Sequence, residues 1–219
     1  NNGPGSPNGA KWEKENVDGF GGKEGYALFK ETVRNLNLHL EGTNYNITNL
    51  KELKSFTETM MVNLADNRTL PYGISNNKEL VLNITYAYGY AAYQIWGAQV
   101  PQKQVYSFGL IDSIWKQLKA WTYGQSYTKA VMYSAHDSNL YSVLAALGVL
   151  NKECLLKNWY AELKGQDLPF PNCTYPFFAS NIIVEFYNST DNKLPYVKVL
   201  YNNEPLRLCR GQDRCTYQE

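Results

Sequence analysis

Histidine is nearly absent from this sequence: the 219 residues hold two, His39 and His136. Chemistry that gathers imidazoles around a metal is not expected, and no group of His, Asp, Glu or Cys has ligand spacing. Cysteine is equally sparse. The four residues Cys154, Cys173, Cys209 and Cys215 form no C-x-x-C pair, which argues against a zinc ribbon or a dithiol redox centre. Neither sign of charge dominates: 21 Lys and Arg against 20 Asp and Glu leave a formal net charge of +1, with no basic run. Nucleic-acid binding is not expected of such a balance. No apolar stretch reaches the roughly 18–20 residues a bilayer demands, so no transmembrane segment is expected. The G-x-S-x-G elbow of α/β hydrolases is also missing.

What is present suits a folded chain. An apolar share of 44% at this length supports one large domain or two small ones with a real core. Sequence neighbours suggest the bridges Cys154–Cys173 and Cys209–Cys215, although four cysteines allow three connectivities. Five N-x-S/T sequons stand at Asn46, Asn67, Asn83, Asn172 and Asn188, against roughly two or three expected by chance from such a composition. An even cysteine count beside these sequons points to an oxidising compartment: secreted, lysosomal or cell-surface. Asn1 to Ala10 is rich in Gly, Pro and Asn and reads as interior loop, so a portion upstream of it is expected.

The first two-thirds carries helical periodicity. Tyr26, Phe29, Val33, Leu36 and Leu40 recur at steps of three and four and place one apolar stripe on a helix. Leu50, Leu53, Phe56, Met60 and Leu64 do the same. A third helix is expected over Leu80–Trp96, ending near Gly97. A fourth opens at Pro101, with Phe108, Ile111, Trp115 and Leu118 on its packing side. The texture then changes. Thr128 to Ser134 (TKAVMYS) is short and apolar and reads as a buried strand. His136-Asp137-Ser138 follows, and then a helical stripe of Leu140, Val143, Leu144 and Leu147 closed by Gly148. Residues 151–176 read as a long loop holding Cys154 and Cys173. Phe178–Tyr187 and Tyr196–Tyr201 read as a hairpin, Asn188 to Pro195 connecting them. Asn202-Asn203 then turns the chain into a short strand at Pro205–Leu208. The order is a helical region followed by part of an α/β sheet.

The two histidines have different settings. His39, in LNLHLEG near a helix end, suits the negative pole of the helix dipole and has a structural role. His136 lies where an expected strand gives way to a helix. Open α/β sheets bind ligands at that edge, and a helix N-terminus favours an anion such as phosphate. Asp137 beside it has two open roles: a helix cap, which needs only a side-chain oxygen, or a general acid that protonates a departing alkoxide. Ser138 is an alternative cap.

The stretch VMYSAHDSNLYSVLAALG, residues 131–148, resembles the C-terminal signature of histidine acid phosphatases. The segment FASNIIVEFY resembles that family's next core strand. VKVLYNNEPLRLC, residues 197–209, resembles its final hairpin running into a cysteine, and Cys209 and Cys215 resemble a terminal small-loop disulfide. KWEKE near residue 11 resembles the start of the family's helical cap. The resemblance implies an α/β, phosphoglycerate-mutase-like sandwich, incomplete within this chain. Its parts would be an N-terminal loop over 1–22, a helical cap region over 23–126, and the C-terminal part of the α/β core over 127–219. It also implies hydrolysis of a phosphomonoester substrate through a phosphohistidine, with no cofactor. Asp137 would donate the proton and His136 would touch phosphate.

One departure is large. The family's nucleophile lies in an R-H-G-x-R-x-P motif, and this chain contains no R-H-G. Covalent phosphoryl transfer needs a nucleophile and several cations around the phosphate oxygens. The five arginines, Arg34, Arg68, Arg207, Arg210 and Arg214, read as solvated surface. The chain alone is therefore expected to be inactive, and an N-terminal fragment of the same precursor is the expected partner. The alternative is a non-catalytic, glycosylated structural or binding protein that retains the scaffold. A third reading, a Ser134/His136/Asp137 triad, is weak because triad members come from distant loops.

Overall fold

Three asparagines start three of the helices in the computed structural model of the chain, which describes residues 20–188 and 194–216. Asn49, Asn77 and Asn151 each sit in extended backbone and accept the amide three residues on, from Glu52, Leu80 and Cys154, at 3.0 Å. Such caps satisfy one of the donors that a helix start leaves unpaired, worth about 1 kcal/mol each. The helices are α1 (Phe20–Leu28), α2 (Lys30–His39), α3 (Leu50–Ala65), α4 (Lys78–Trp96), α5 (Val100–Thr122), α6 (Asp137–Ala146) and α7 (Lys152–Leu163). The expected N-terminal loop lies, up to residue 19, outside the described residues.

Helix α4 is central. Every residue from Ala87 to Ile95 is buried, as a helix covered on all sides must be. One side of it joins Phe29, Val33, Leu36, Leu53, Phe56 and Trp159 in a first core cluster. Trp159 packs on Phe29 at 4.8 Å between ring centroids and donates its indole N–H to Asn83 Oδ1 at 2.8 Å. The other side of α4 joins Tyr141, Leu144, Leu155, Tyr175 and Tyr201 in a second. Each large apolar side chain so buried stabilises the fold by roughly 1.5–3 kcal/mol. Where α4 ends at Gly97 it meets α6 closely: a Cβ at Gly97 would stand 2.7 Å from that of Ala145.

Among the described residues, four strands form one antiparallel sheet. β1 (Ile182–Tyr187) pairs along its whole length with β2 (Tyr196–Tyr201), from Ile182↔Tyr201 to Tyr187↔Tyr196. β2 turns into β3 (Glu204–Pro205) through Asn202 and Asn203, both with positive φ (50° and 69°). A two-residue hairpin loop with this handedness matches the strand twist, and asparagine tolerates it. β4 (Cys215–Thr216) pairs with the start of β2. The mixed α/β class with a large helical region is thus observed, as are both neighbour disulfides, with Cα atoms 6.1 Å apart for Cys154–Cys173 and 5.3 Å for Cys209–Cys215.

Five local expectations are corrected. The first stripe is carried by two helices broken at Phe29 rather than one. The expected loop over 151–176 contains α7, because Asn151 caps it and Cys154, Leu155, Asn158 and Trp159 form a buried helical face. Thr128–Ser134 is not a buried strand. It is irregular and exposed, since no described strand pairs with it. The packing side expected for α5 is largely uncovered: Phe108 is 65% exposed and Trp115 45%, while Leu118 is buried. The short strand after Asn202-Asn203 is Glu204–Pro205 rather than Pro205–Leu208. No helix among the described residues is long and apolar enough to cross a membrane.

Candidate active site

The approach to α6 is open chain. Tyr127 is 94% exposed and Met132 96%, and Val131 and Tyr133 are exposed as well. One side-chain hydrogen bond, between Tyr133 Oη and Ser113 Oγ at 2.9 Å, ties this segment to α5.

The helix starts at Asp137, so the cap position is His136, neither Asp137 nor Ser138. His136 has extended backbone (φ −92°, ψ 162°). Its N–H donates to Asn139 Oδ1 at 3.1 Å, and its carbonyl receives the amide of Asn139 at 3.0 Å. Its side chain is exposed. Asp137 is half-buried, and its two oxygens have different tasks. Oδ1 accepts the Ser138 amide at 2.7 Å, satisfying one free donor of the first turn. Oδ2 accepts the hydroxyl of Tyr175.

Tyr175 opens a chain of contacts that no sequence pattern announces. Its ring lies 4.5 Å from that of Tyr88 and 5.4 Å from that of Tyr141. The Tyr175 and Tyr88 hydroxyls are 2.8 Å apart, and Tyr88 Oη reaches Glu58 Oε1 at 3.2 Å. Glu58 Oε2 accepts from Lys54 at 2.9 Å, and that ammonium lies 5.1 Å over the Trp96 ring. Burial, followed by the hydrogen bond to Asp137, pushes the Tyr175 phenol far above its ordinary range. Burial does the same to Tyr88. Both phenols therefore stay protonated and able to donate.

The loop that carries Tyr175 is held twice. The Cys154–Cys173 bridge ties it to α7. Asn158, fully buried on α7, donates to the carbonyls of Phe170 at 2.7 Å and Cys173 at 3.0 Å. It also accepts the Phe170 amide at 3.0 Å.

Other residues singled out in the sequence lie elsewhere. His39 ends α2 and bonds the Tyr72 carbonyl at 2.8 Å, holding a loop in which Tyr72 and Gly73 both have positive φ. Arg34 pairs with Glu31 at 2.6 Å and Arg68 with Asp66 at 2.5 Å, all on the surface. Among the described residues no hydrogen bond joins Ser134, His136 and Asp137, so the triad has no geometry here. Asn46, Asn67 and Asn188 are exposed, Asn172 is half-exposed, and Asn83 is half-buried under Trp159. Among the described residues no three His, Cys, Asp or Glu side chains gather as a metal site would.

The arrangement sets a carboxylate, held at both oxygens, at the first residue of a helix, with its neighbouring imidazole open to solvent. A comparison with curated proteins found no match. A family model, the histidine phosphatase superfamily (branch 2), matches residues 12–202, a span that holds His136, Asp137, Tyr175 and the whole of β1 and β2. With most of its length matched, the chain belongs to the histidine phosphatase superfamily, branch 2.

Proposed function

We propose that this chain is the general-acid portion of a histidine acid phosphatase acting on phosphomonoesters. Membership of a phosphatase superfamily supports hydrolysis of phosphate esters. The observation that carries the finer reading is Asp137 at the first residue of α6, its carboxylate held at both oxygens. In this reading Asp137 protonates the leaving oxygen. His136, at the N-terminal end of α6, meets the phosphate, whose charge a helix N-terminus favours.

The nucleophilic histidine and the phosphate-clamping arginines come, in this reading, from an N-terminal fragment of the same precursor. The exposed segment 128–134, which no described strand pairs, and the exposed side chains of Phe108 and Ile111 on α5 support such a partner. A strand laid beside 128–134 satisfies its amides and carbonyls, and it brings an R-H-G motif next to His136. Residues 23–126 then act as cap and 127–219 as the last part of the core. The two disulfides are in keeping with an oxidising compartment, and secretion or lysosomal residence with glycans on the sequons is the finer reading.

The test is co-production of this chain with its precursor's N-terminal portion, followed by assay on alkyl and aryl phosphates at mildly acidic pH. Activity in the complex alone is expected. Asp137→Asn is expected to lower kcat/KM more for alkyl than for aryl esters, because aryl oxides leave with less protonation. Equal loss on both would refute the general-acid role. A second reading, a non-catalytic relative, is favoured by one observation: no arginine among the described residues bonds to Asp137 or His136. Phosphatase activity abolished by Asp137→Asn would exclude it.

A further inference from the structure

We propose that Tyr175 is a positioning residue for Asp137, its hydroxyl gripping Oδ2 so that the carboxyl presents a fixed face to the departing oxygen. The proposal rests on Asp137 being the general acid. Four observations on the molecule carry it.

The contact is directed. Asp137 Oδ1 is occupied by the Ser138 amide and Oδ2 by the Tyr175 hydroxyl. Two donors on opposite oxygens fix the carboxyl plane, whereas an aspartate at the first position of a helix otherwise turns freely about its side-chain torsions. The donor is rigid. Tyr175 is buried, wedged between the rings of Tyr88 and Tyr141, and it follows Cys173 by two residues in a loop bolted to α7 by a disulfide and by Asn158.

The donor's proton is committed. Tyr175 has one hydroxyl hydrogen and two oxygen neighbours, Asp137 Oδ2 and the Tyr88 hydroxyl. With that hydrogen on Asp137, the Tyr88 hydroxyl has two acceptors for its own, Tyr175 Oη at 2.8 Å and Glu58 Oε1 at 3.2 Å, and Glu58 also accepts from Lys54. Burial keeps both phenols in the donating form. Finally, the sources are independent. Lys54 and Glu58 come from α3, Tyr88 from α4, Asp137 from α6 and Tyr175 from the loop after α7. Residues from three other segments form a hydrogen-bonded chain that reaches the Asp137 carboxyl through Tyr175, which a helix cap by itself does not require.

The general-acid step needs an acid placed within a fraction of an ångström, and misplacement by about 1 Å costs up to a hundredfold. The test uses the assembled, active enzyme and compares kcat/KM on an alkyl and an aryl phosphate for Tyr175→Phe, Asp137→Asn and Tyr141→Phe. Tyr175→Phe keeps the ring packing and deletes only the grip. It is expected to lower the alkyl value about tenfold and the aryl value by less than about twofold, with KM little changed. Tyr141→Phe also loses a buried hydroxyl, one that donates to the Gly89 carbonyl and not to Asp137. It is expected to leave the alkyl-to-aryl ratio as it was. If Tyr175→Phe lowers both substrates equally while Asp137→Asn still shifts the ratio, Tyr175 is merely structural and the positioning role is wrong. If Asp137→Asn itself leaves the ratio unmoved, the underlying general-acid reading fails instead.

Discussion

Asn158 offers the sharpest quantitative test of how the loop behind the site is held. Its side chain is fully buried and makes three hydrogen bonds to backbone: to the Phe170 and Cys173 carbonyls and from the Phe170 amide. Replacing it by alanine leaves two acceptors and one donor without partners. At about 1 kcal/mol net for each bond, the loss is about 3 kcal/mol. The Cys154–Cys173 bridge closes the same loop across a sequence separation of 19 residues, and loop-closure entropy for a ring of that size is also about 3 kcal/mol. For a chain of this length each kcal/mol moves Tm by roughly 2–4 °C, so Asn158→Ala should lower it by about 6–12 °C. Guanidinium unfolding followed by tryptophan fluorescence, without reductant, measures this, and Trp159 is the adjacent reporter. In a chain with Cys154→Ala and Cys173→Ala the further cost of Asn158→Ala should shrink, because both devices restrain one loop and neighbouring effects do not add. A loss below about 1 kcal/mol in the disulfide-bonded chain would refute the reasoning.

Three further outcomes are expected. Gly97→Ala should destabilise by about 1–3 kcal/mol, because the new methyl meets Ala145 Cβ at 2.7 Å; adding Ala145→Gly should restore most of the loss in a melting experiment, and no rescue would mean the clash is not the cause. The phenols of Tyr88, Tyr141 and Tyr175 are raised, first by burial. Their contribution to stability is fully present below the unfolded value of about pH 10 and is lost as pH rises toward the folded values. An absorbance titration at 295 nm should therefore show some tyrosines ionising only with unfolding, and a single population titrating near pH 10 would contradict the burial argument. In a secretory host, Asn46, Asn67 and Asn188 should take glycans more fully than Asn83, whose carbonyl is held by Trp159; site occupancy by mass spectrometry checks the order.

Periodicity made most of the helices legible. Phe29, Val33, Leu36 and Leu40 are all in the core, and Trp96 ends α4 just before Gly97. Helix α7 escaped because its buried face carries Cys154 and Asn158 beside Leu155 and Trp159. A cysteine taken for a loop staple and a polar residue with a hidden job do not read as an apolar stripe. Residues 128–134 have strand composition, but a strand exists only when a neighbour accepts its hydrogen bonds, and local sequence does not supply one. The α5 stripe names a sticky face without naming what covers it. For the site, the position of His136 and Asp137 at a helix start was readable from the polar turn before Leu140. The link from Asp137 to Tyr175, 38 residues away, was not. It depends on how α4 and α7 bring Tyr88 and the loop together, which is set by packing across the chain.

The exposed side chains of Phe108 and Ile111, on the helix that Tyr133 of the exposed segment 128–134 bonds through Ser113, have a consequence for handling the protein. Two copies that meet there satisfy each other with intermolecular β-structure, and each addition leaves another edge to grow from. Precipitation should then follow the concentration of uncovered chain rather than total protein. Low protein concentration, or a charged substitution at Phe108, is the remedy the geometry recommends.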